Sequence, residues 1–279
     1  MSALALPSAA RLPSLAALDA EGRRRNLLLW GFAVLLLLAM VPLAAAFAID
    51  GRTVNDVNVW GKPLKFAGSL TLYFGTLAWF WAYLPAVRGR WLDRFATVSV
   101  GLVAFEMLYI AGQSARGVAS HFNTATPVEG FLFTAMGLAA VVFTSLPLAL
   151  AVGGAQAPAG GLAPAYRLAV ILGLVLTTIL GVTTGIAIAE NGGHWVAAPR
   201  TDAGGLPVFG WTRAGGDLRV AHFFAIHAMQ ILPVAGWLVA RRFPRATGAV
   251  WLMAAAFAAL TAATLAEALA GRPFLGFLG

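Results

Sequence analysis

The sequence predicts an all-α integral membrane protein, a bundle of seven transmembrane helices. Hydrophobic residues make up 60% of the 279 residues and charged residues only 11%, whereas a soluble domain carries about 25% charged residues. Seven apolar stretches each have about the 20 residues that are needed to cross the hydrocarbon core of a bilayer. Because the composition does not change along the chain, we expect one transmembrane domain, residues 26–279, after a cytoplasmic N-terminal segment, residues 1–25.

The seven predicted spans follow one another through mostly short connections. They lie near residues 27–48, 66–87, 95–115, 127–152, 167–189, 218–240 and 247–270. The first apolar run is longer than the core of an ordinary signal peptide, so we interpret it as a retained anchor. The longest outer connection is 190–217, and a loop of this length on a compact bundle is either a lid over a site or a passive connector.

The placement of the basic residues predicts that the N-terminus is cytoplasmic and the C-terminus lies outside. In this orientation 11 of the 19 arginines and lysines fall on the inner side and 8 on the outer side, and the inner ones crowd into short segments such as 23–25 and 88–94. The net charge of +8 therefore reflects membrane topology. Because no basic stripe is visible, we do not expect a nucleic-acid partner. Cysteine is absent, which excludes thiolate ligands and disulfides.

One face of the third span is polar. Glu106, Tyr109, Gln113, Arg116 and Ser120 are separated by steps of 3, 4, 3 and 4 residues, which place them on one side of a helix. Lipid cannot satisfy these groups, so this face must point into the bundle or into a water-filled cavity. It either fixes helix packing through hydrogen bonds or lines a site. The deepest member, Glu106, is expected to be protonated or paired with a cation, and Arg116 is too shallow on the same helix to be that cation.

All four histidines are predicted to lie at or near the outer end of the bundle. His121 follows the third span, His194 follows the fifth, and His222 and His227 lie within the sixth. The last two diverge by about 140° around the helix, so they cannot both ligate one haem iron from opposite sides. They are also not the i, i+4 pair that grips zinc in the HExxH motif. Two further polar residues, Arg219 and Gln230, share their side of the sixth span.

Two segments at the ends of these polar spans carry a resemblance. They read QSARGVASHFN at 113–123 and DLRVAHF at 217–223. Both resemble segments of an uncharacterised family of bacterial polytopic membrane proteins, and the resemblance covers most of the chain. It implies a bacterial inner membrane location and no particular activity.

The histidines and arginines together predict a haem-binding, cytochrome b-like redox or electron-transfer component that carries haem b. The expected axial pair is His222 or His227 with His121 or His194, because histidines on facing elements can clamp a flat macrocycle. Arg116 and Arg219 suit the haem propionates, since arginine binds carboxylates bidentately. Gln113, Gln230 and Glu106 are the other residues expected to line the cofactor site. Besides the lipid bilayer, we expect other membrane subunits, a quinone or another electron-transfer partner.

Two alternatives remain open from the sequence. The first is a zinc- or iron-dependent membrane enzyme, in which three of the four histidines (His121, His194, His222 and His227) hold the metal and a water completes the site. The motif Ser120-His121 is similar to one in seven-helix ceramidase-like hydrolases, but this chain has His-x4-His where those proteins have His-x3-His. The second alternative is a cofactor-free transporter, sensor or accessory subunit, in which a histidine serves as a proton switch.

Overall fold

A computed structural model describes residues 20–83, 90–156 and 161–276 and shows a helical bundle. The described helices are α1 (Ala20–Ile49), α2 (Gly61–Tyr83), α3 (Arg90–Arg116), α4 (Pro127–Thr144), α5 (Leu146–Gln156), α6 (Pro164–Glu190), α7 (Leu218–Arg242) and α8 (Thr247–Leu269). Four two-residue strands lie in the connections: β1 (Thr53–Val54), β2 (Val57–Asn58), β3 (Trp195–Val196) and β4 (Gly216–Asp217). Most of the predicted cytoplasmic segment and part of the basic segment 88–94 fall outside the described residues.

Six helical segments within the described residues are long and apolar enough to cross a membrane, one fewer than the sequence predicts. They are Asn26–Ile49, Trp91–Arg116, Pro127–Gln156, Pro164–Glu190, Leu218–Arg242 and Thr247–Leu269. The second predicted span coincides with the 23-residue helix α2, which is not among these six. Large apolar side chains such as Leu35, Leu108 and Leu252 are exposed on the surface of the bundle, as a lipid environment requires. The protein is therefore a helical, multi-pass membrane protein, while the count of seven spans and the orientation remain predictions.

The fourth predicted span, 127–152, is divided into α4 and α5 at Ser145. Proline lacks the backbone N–H that would bond the carbonyl four residues earlier, so Pro147 leaves the carbonyl of Phe143 without its helical donor. The Tyr73 hydroxyl donates to that carbonyl at 2.6 Å. The Thr178 hydroxyl of α6 donates to the next carbonyl, of Thr144, at 2.7 Å. The break is thus stabilised by donors from two other helices, which the local sequence does not reveal.

Two helix pairs, α1 with α2 and α6 with α7, form the most extensive contacts of the bundle. In the first pair Phe32 and Phe74 pack edge to face with their ring centroids 4.9 Å apart. In the second pair small residues let the backbones approach closely: a Cβ on Gly173 would lie 3.0 Å from the carbonyl oxygen of Ala228. Helices α3, α4 and α5 connect the two pairs.

The loops on one side of the bundle meet around the histidines, and we call this side the histidine end. It comprises the connections 50–60, 117–126 and 190–217. The backbone N–H of Asp202 donates to the carbonyl of Asn55 at 3.0 Å, and Lys65 of α2 donates to the carbonyl of Phe209 at 3.0 Å. Connection 190–217 therefore reaches from α6 and α7 across to α2.

Connection 190–217 is also anchored on α7 and α8. Strands β3 and β4 pair antiparallel, with Trp195 opposite Asp217. A Cβ on Gly216 would lie only 1.9 Å from the carbonyl oxygen of Ala268 at the end of α8, so this position accepts no larger residue without a backbone shift. The connection is thus packed against the bundle along part of its length.

Candidate functional site

The part of the polar face nearest the C-terminal end of α3 joins α3 to α4. The Gln113 amide donates to the Tyr109 hydroxyl at 2.9 Å and accepts from Arg116 at 2.6 Å. Arg116 also forms an ion pair with Glu129 of α4 at 3.2 Å. Glu129 is held in the first turn of α4 by Thr126, whose hydroxyl caps that helix. Arg116, which the sequence assigned to a haem propionate, already has a carboxylate partner here.

His121, in the connection after α3, lies beside Glu106, the member of this face that is farthest from the C-terminal end of the helix. Its Nδ1 lies 3.1 Å from the Ser120 hydroxyl, and its Nε2 lies 3.8 Å from one carboxylate oxygen of Glu106. The other carboxylate oxygen of Glu106 is buried and has no hydrogen-bond partner. The rings of Phe66 from α2 and Phe133 from α4 flank the imidazole at 5.8 and 6.3 Å. This arrangement leaves a buried polar atom whose hydrogen-bonding capacity is unused.

Burial and a nearby cation keep His121 neutral. Loss of solvation, and to a smaller degree the positive charge of Lys62, lower the pKa of His121 well below its ordinary value. A neutral imidazole retains a lone pair and can act as a metal ligand. Sequence reasoning missed Lys62, because a lysine just before an apolar span is ordinarily a residue that extends its charge to the membrane surface.

The two histidines of α7 are both held through Nδ1. The Nδ1 of His222 lies 2.9 Å from the hydroxyl of Thr184 on α6, and that hydroxyl donates to the carbonyl of Leu180. The Nδ1 of His227 lies 2.6 Å from the carbonyl of Phe223. The contact of His227 requires a proton on Nδ1, which places the lone pair of that ring on Nε2, whereas the Nδ1 of His222 can donate to the Thr184 hydroxyl or accept from it. Imidazoles that bind metals are commonly oriented by such a bond to the other nitrogen.

Two residues around these histidines have particular roles in the packing. A Cβ on Gly185 would lie 3.6 Å from the His222 ring, so the glycine lets that ring lie directly against α6. Gln230 donates to the Thr76 hydroxyl of α2 at 3.1 Å, while its own carbonyl oxygen is buried without a partner. Two buried acceptors without partners, on Glu106 and Gln230, therefore lie among the predicted site residues.

His194 belongs to a separate charged cluster in connection 190–217. Its Nε2 lies 3.0 Å from Asp202, which also pairs with Arg219 at 2.8 Å. Arg219 in addition forms a two-point contact with Asp217 at 3.0 and 2.7 Å. Two carboxylates thus already surround Arg219, the second predicted propionate ligand, and the Nε2 of His194 is occupied. Asp202 was missed because nothing in its local sequence distinguishes it from a solvated loop residue.

The cluster predicts a loss of stability on mild acidification. Burial lowers the pKa of His194, although its hydrogen bond to Asp202 acts in the opposite sense. Burial alone would raise the pKa of Asp202, but the hydrogen bond to His194 and the charge of Arg219 hold it below its ordinary value. Both groups therefore bind protons more weakly in the folded than in the unfolded chain, so stability decreases as the pH falls, from about pH 6.5 downward for the histidine.

We expect the thermal unfolding midpoint in detergent to fall between pH 7.5 and pH 5.5, and to fall less in a His194→Gln variant. Tryptophan fluorescence during heating measures both midpoints. An equal pH dependence in the variant and the native protein would contradict the assignment of this loss to His194.

The described residues include all four histidines but contain no group of three or more histidine, aspartate or glutamate side chains arranged to hold a metal ion. His121 lies with Glu106 between α2, α3 and α4, whereas His222 and His227 lie on α7 within electrostatic range of each other, and His194 pairs with Asp202. The fold and the site define a class: a multi-pass helical membrane protein with buried polar groups at one end. The chain matches no family model, no curated protein and no solved structure.

Proposed function

We propose that the protein is a haem-binding, cytochrome b-like membrane component that takes part in electron transfer. The observation that supports the proposal is the orientation of the α7 imidazoles. His222 and His227 each use Nδ1 in a hydrogen bond, and His227 carries its lone pair on Nε2, which is the form of histidine that ligates haem iron. His121, kept neutral by burial, is the candidate ligand on the other side of the bundle.

The number and type of the candidate ligands support a haem. The macrocycle supplies four nitrogen ligands, so the protein needs to provide only one or two, whereas a zinc site takes three or four. One histidine from α7 together with His121 meets this requirement without a group of three ligands. Aromatic rings beside both candidates, Phe66 and Phe133 near His121 and Phe223 at 4.1 Å from His227, can enclose a flat apolar group.

Different residues of the chain would have different roles in such a site. When bound, haem supplies a centre that gains and loses one electron. Thr184 and the carbonyl of Phe223 orient the imidazoles and increase their basicity. The pairing of Arg116 with Glu129, and of Arg219 with Asp217 and Asp202, balances these charges within the protein. A bacterial inner membrane location, seven spans with the N-terminus inside, and a quinone or protein redox partner belong to the same proposal.

Optical spectroscopy of the detergent-purified protein tests the proposal. Cells should be supplied with a haem precursor, and protein purified without haem should be titrated with haemin. We expect a Soret band that shifts on reduction with dithionite, with close to one haem per chain.

Two other results would reject haem. A colourless protein with stoichiometric zinc or non-haem iron would favour the metal-dependent enzyme. A protein with neither signal would favour a cofactor-free transporter, sensor or accessory subunit.

A further inference from the structure

We infer that Lys62, in the first turn of α2, is the anion-binding residue of this site and contacts a carboxylate of the bound group. The inference rests on the proposed function, under which that carboxylate is a haem propionate. It differs from the sequence-based expectation, which gave this role to Arg116 and Arg219.

The charges of the histidine end leave Lys62 in a distinctive position. The other cations that have partners there are satisfied by protein oxygens: Arg52 by Asp50, Arg116 by Glu129, Arg219 by Asp217 and Asp202, Arg272 by Glu267, and Lys65 by the carbonyl of Phe209. In the described part of the chain, Lys62 has neither an ion pair nor a hydrogen bond. Arg200 and Arg213 also have neither, but they are not among the charges that act on His121 or Glu106.

Lys62 lies within electrostatic range of the Glu106–His121 pair and of the cluster formed by Asp202 and Arg219. Its charge acts on Glu106 and His121, and it is itself influenced by Asp202 and Arg219. Its Nζ lies 5.8 Å from the centre of the Phe66 ring, and the same ring lies 5.8 Å from the His121 ring. A group held beside Phe66 by His121 is therefore near the ammonium of Lys62.

The local environment favours an anionic ligand at this point. The side chain is solvent-accessible, so a ligand can reach it, and no oxygen of the described residues accepts a hydrogen bond from its ammonium. A carboxylate at hydrogen-bond distance would form a charge-assisted hydrogen bond with this group. The adjacent carboxylate of Glu106 has one oxygen without a partner, at a distance that forms no ion pair with Lys62, so the ammonium remains available.

The experiment compares haemin with haemin dimethyl ester, in which the propionates are neutral. Both are titrated by Soret absorbance into the native protein, Lys62→Gln and the matched control Lys65→Gln in the same detergent. We expect Lys62→Gln to bind haemin about 10- to 100-fold more weakly, as the loss of one hydrogen bond to a charged group implies. The ratio of the affinities for haemin and for its ester should fall by a similar factor in this variant alone. Dividing the ratio of each variant by that of the native protein corrects for the different partition of the two compounds into micelles.

Three results would overturn the inference. If Lys62→Gln keeps the native preference for haemin over its ester, the subsite is wrong while the haem proposal stands. If the native protein and Lys65→Gln prefer haemin over its ester no more than an empty micelle does, the subsite is again wrong. This result does not depend on whether Lys62→Gln folds. If the native protein binds neither compound, both the proposed function and the inference fail.

Discussion

Replacement of one of the two α7 histidines, His222 or His227, by alanine is expected to remove the Soret band of the haem-loaded protein. Each imidazole is fixed through Nδ1 and presents Nε2, and the loss of an axial ligand removes the strongest bond between the protein and the iron. The two rings diverge by about 140° around α7, so only one of them is expected to face the iron. We therefore expect at least one of the two variants to fall from near-stoichiometric haem to almost none, measured by absorbance per chain after identical purification.

Two controls separate ligand loss from misfolding. His194→Ala should retain the spectrum, because the Nε2 of His194 is bound to Asp202 in a different cluster. Added imidazole should restore a Soret band in the variant that lost it, since the free base can occupy the vacated position only in a folded protein. Unchanged haem content in both His222→Ala and His227→Ala would exclude α7 as the source of the ligand.

Replacement of Asp217 by alanine is expected to cause a large loss of stability. The Asp217 side chain is fully buried, caps α7 by accepting from the backbone of Arg219, accepts from the backbone of Thr212, and forms the two-point pair with the Arg219 guanidinium. Its removal leaves buried donors unpaired, and breaking a buried ion pair costs about 3–5 kcal/mol. For a chain of this size that corresponds to a fall of about 10 °C in the unfolding midpoint.

Glu267→Ala is the matched control for this measurement. Glu267 also forms an ion pair with an arginine, Arg272, but both side chains are more than half exposed. Exposed pairs of this kind contribute little, so the midpoint should not change measurably. Tryptophan fluorescence during heating measures the unfolding midpoint of both variants. Similar shifts in the two would show that the buried contacts of Asp217 do not contribute the stability assigned to them.

The positions of most helices could be predicted because the length and apolarity of a membrane helix are local properties. The predicted spans 167–189 and 218–240 correspond to Pro164–Glu190 and Leu218–Arg242. The division of span 127–152 at Ser145 was missed, since the donors that stabilise the break, Tyr73 and Thr178, come from distant helices. The count of spans differs at α2, because glycine, serine, threonine, tyrosine and tryptophan alternate with its leucines and phenylalanines and lower its mean hydropathy.

The candidate site shows the same division between local and distant information. The contact of His227 with the carbonyl of Phe223 connects residues four positions apart and is available within any helix. The contact of His222 with Thr184 spans 38 positions, and the influence of the Lys62 charge on Glu106 spans 44. Periodicity along one helix places a residue on a face, but it does not show which residue of another helix meets that face.

By itself, the sequence determined that this protein is an apolar helical bundle, that one face of α3 is polar, and that histidines occur in the connections and in α7 near its start. Hydropathy and helical period are properties of neighbouring residues, so they can be determined from the sequence without knowledge of the fold. Only the tertiary structure decided which of these groups have partners. It pairs Arg116 with Glu129 and places His194 against Asp202, and it leaves one carboxylate oxygen of Glu106 without a hydrogen bond. Which charged groups meet depends on distances between helices, and these are not local properties of the sequence.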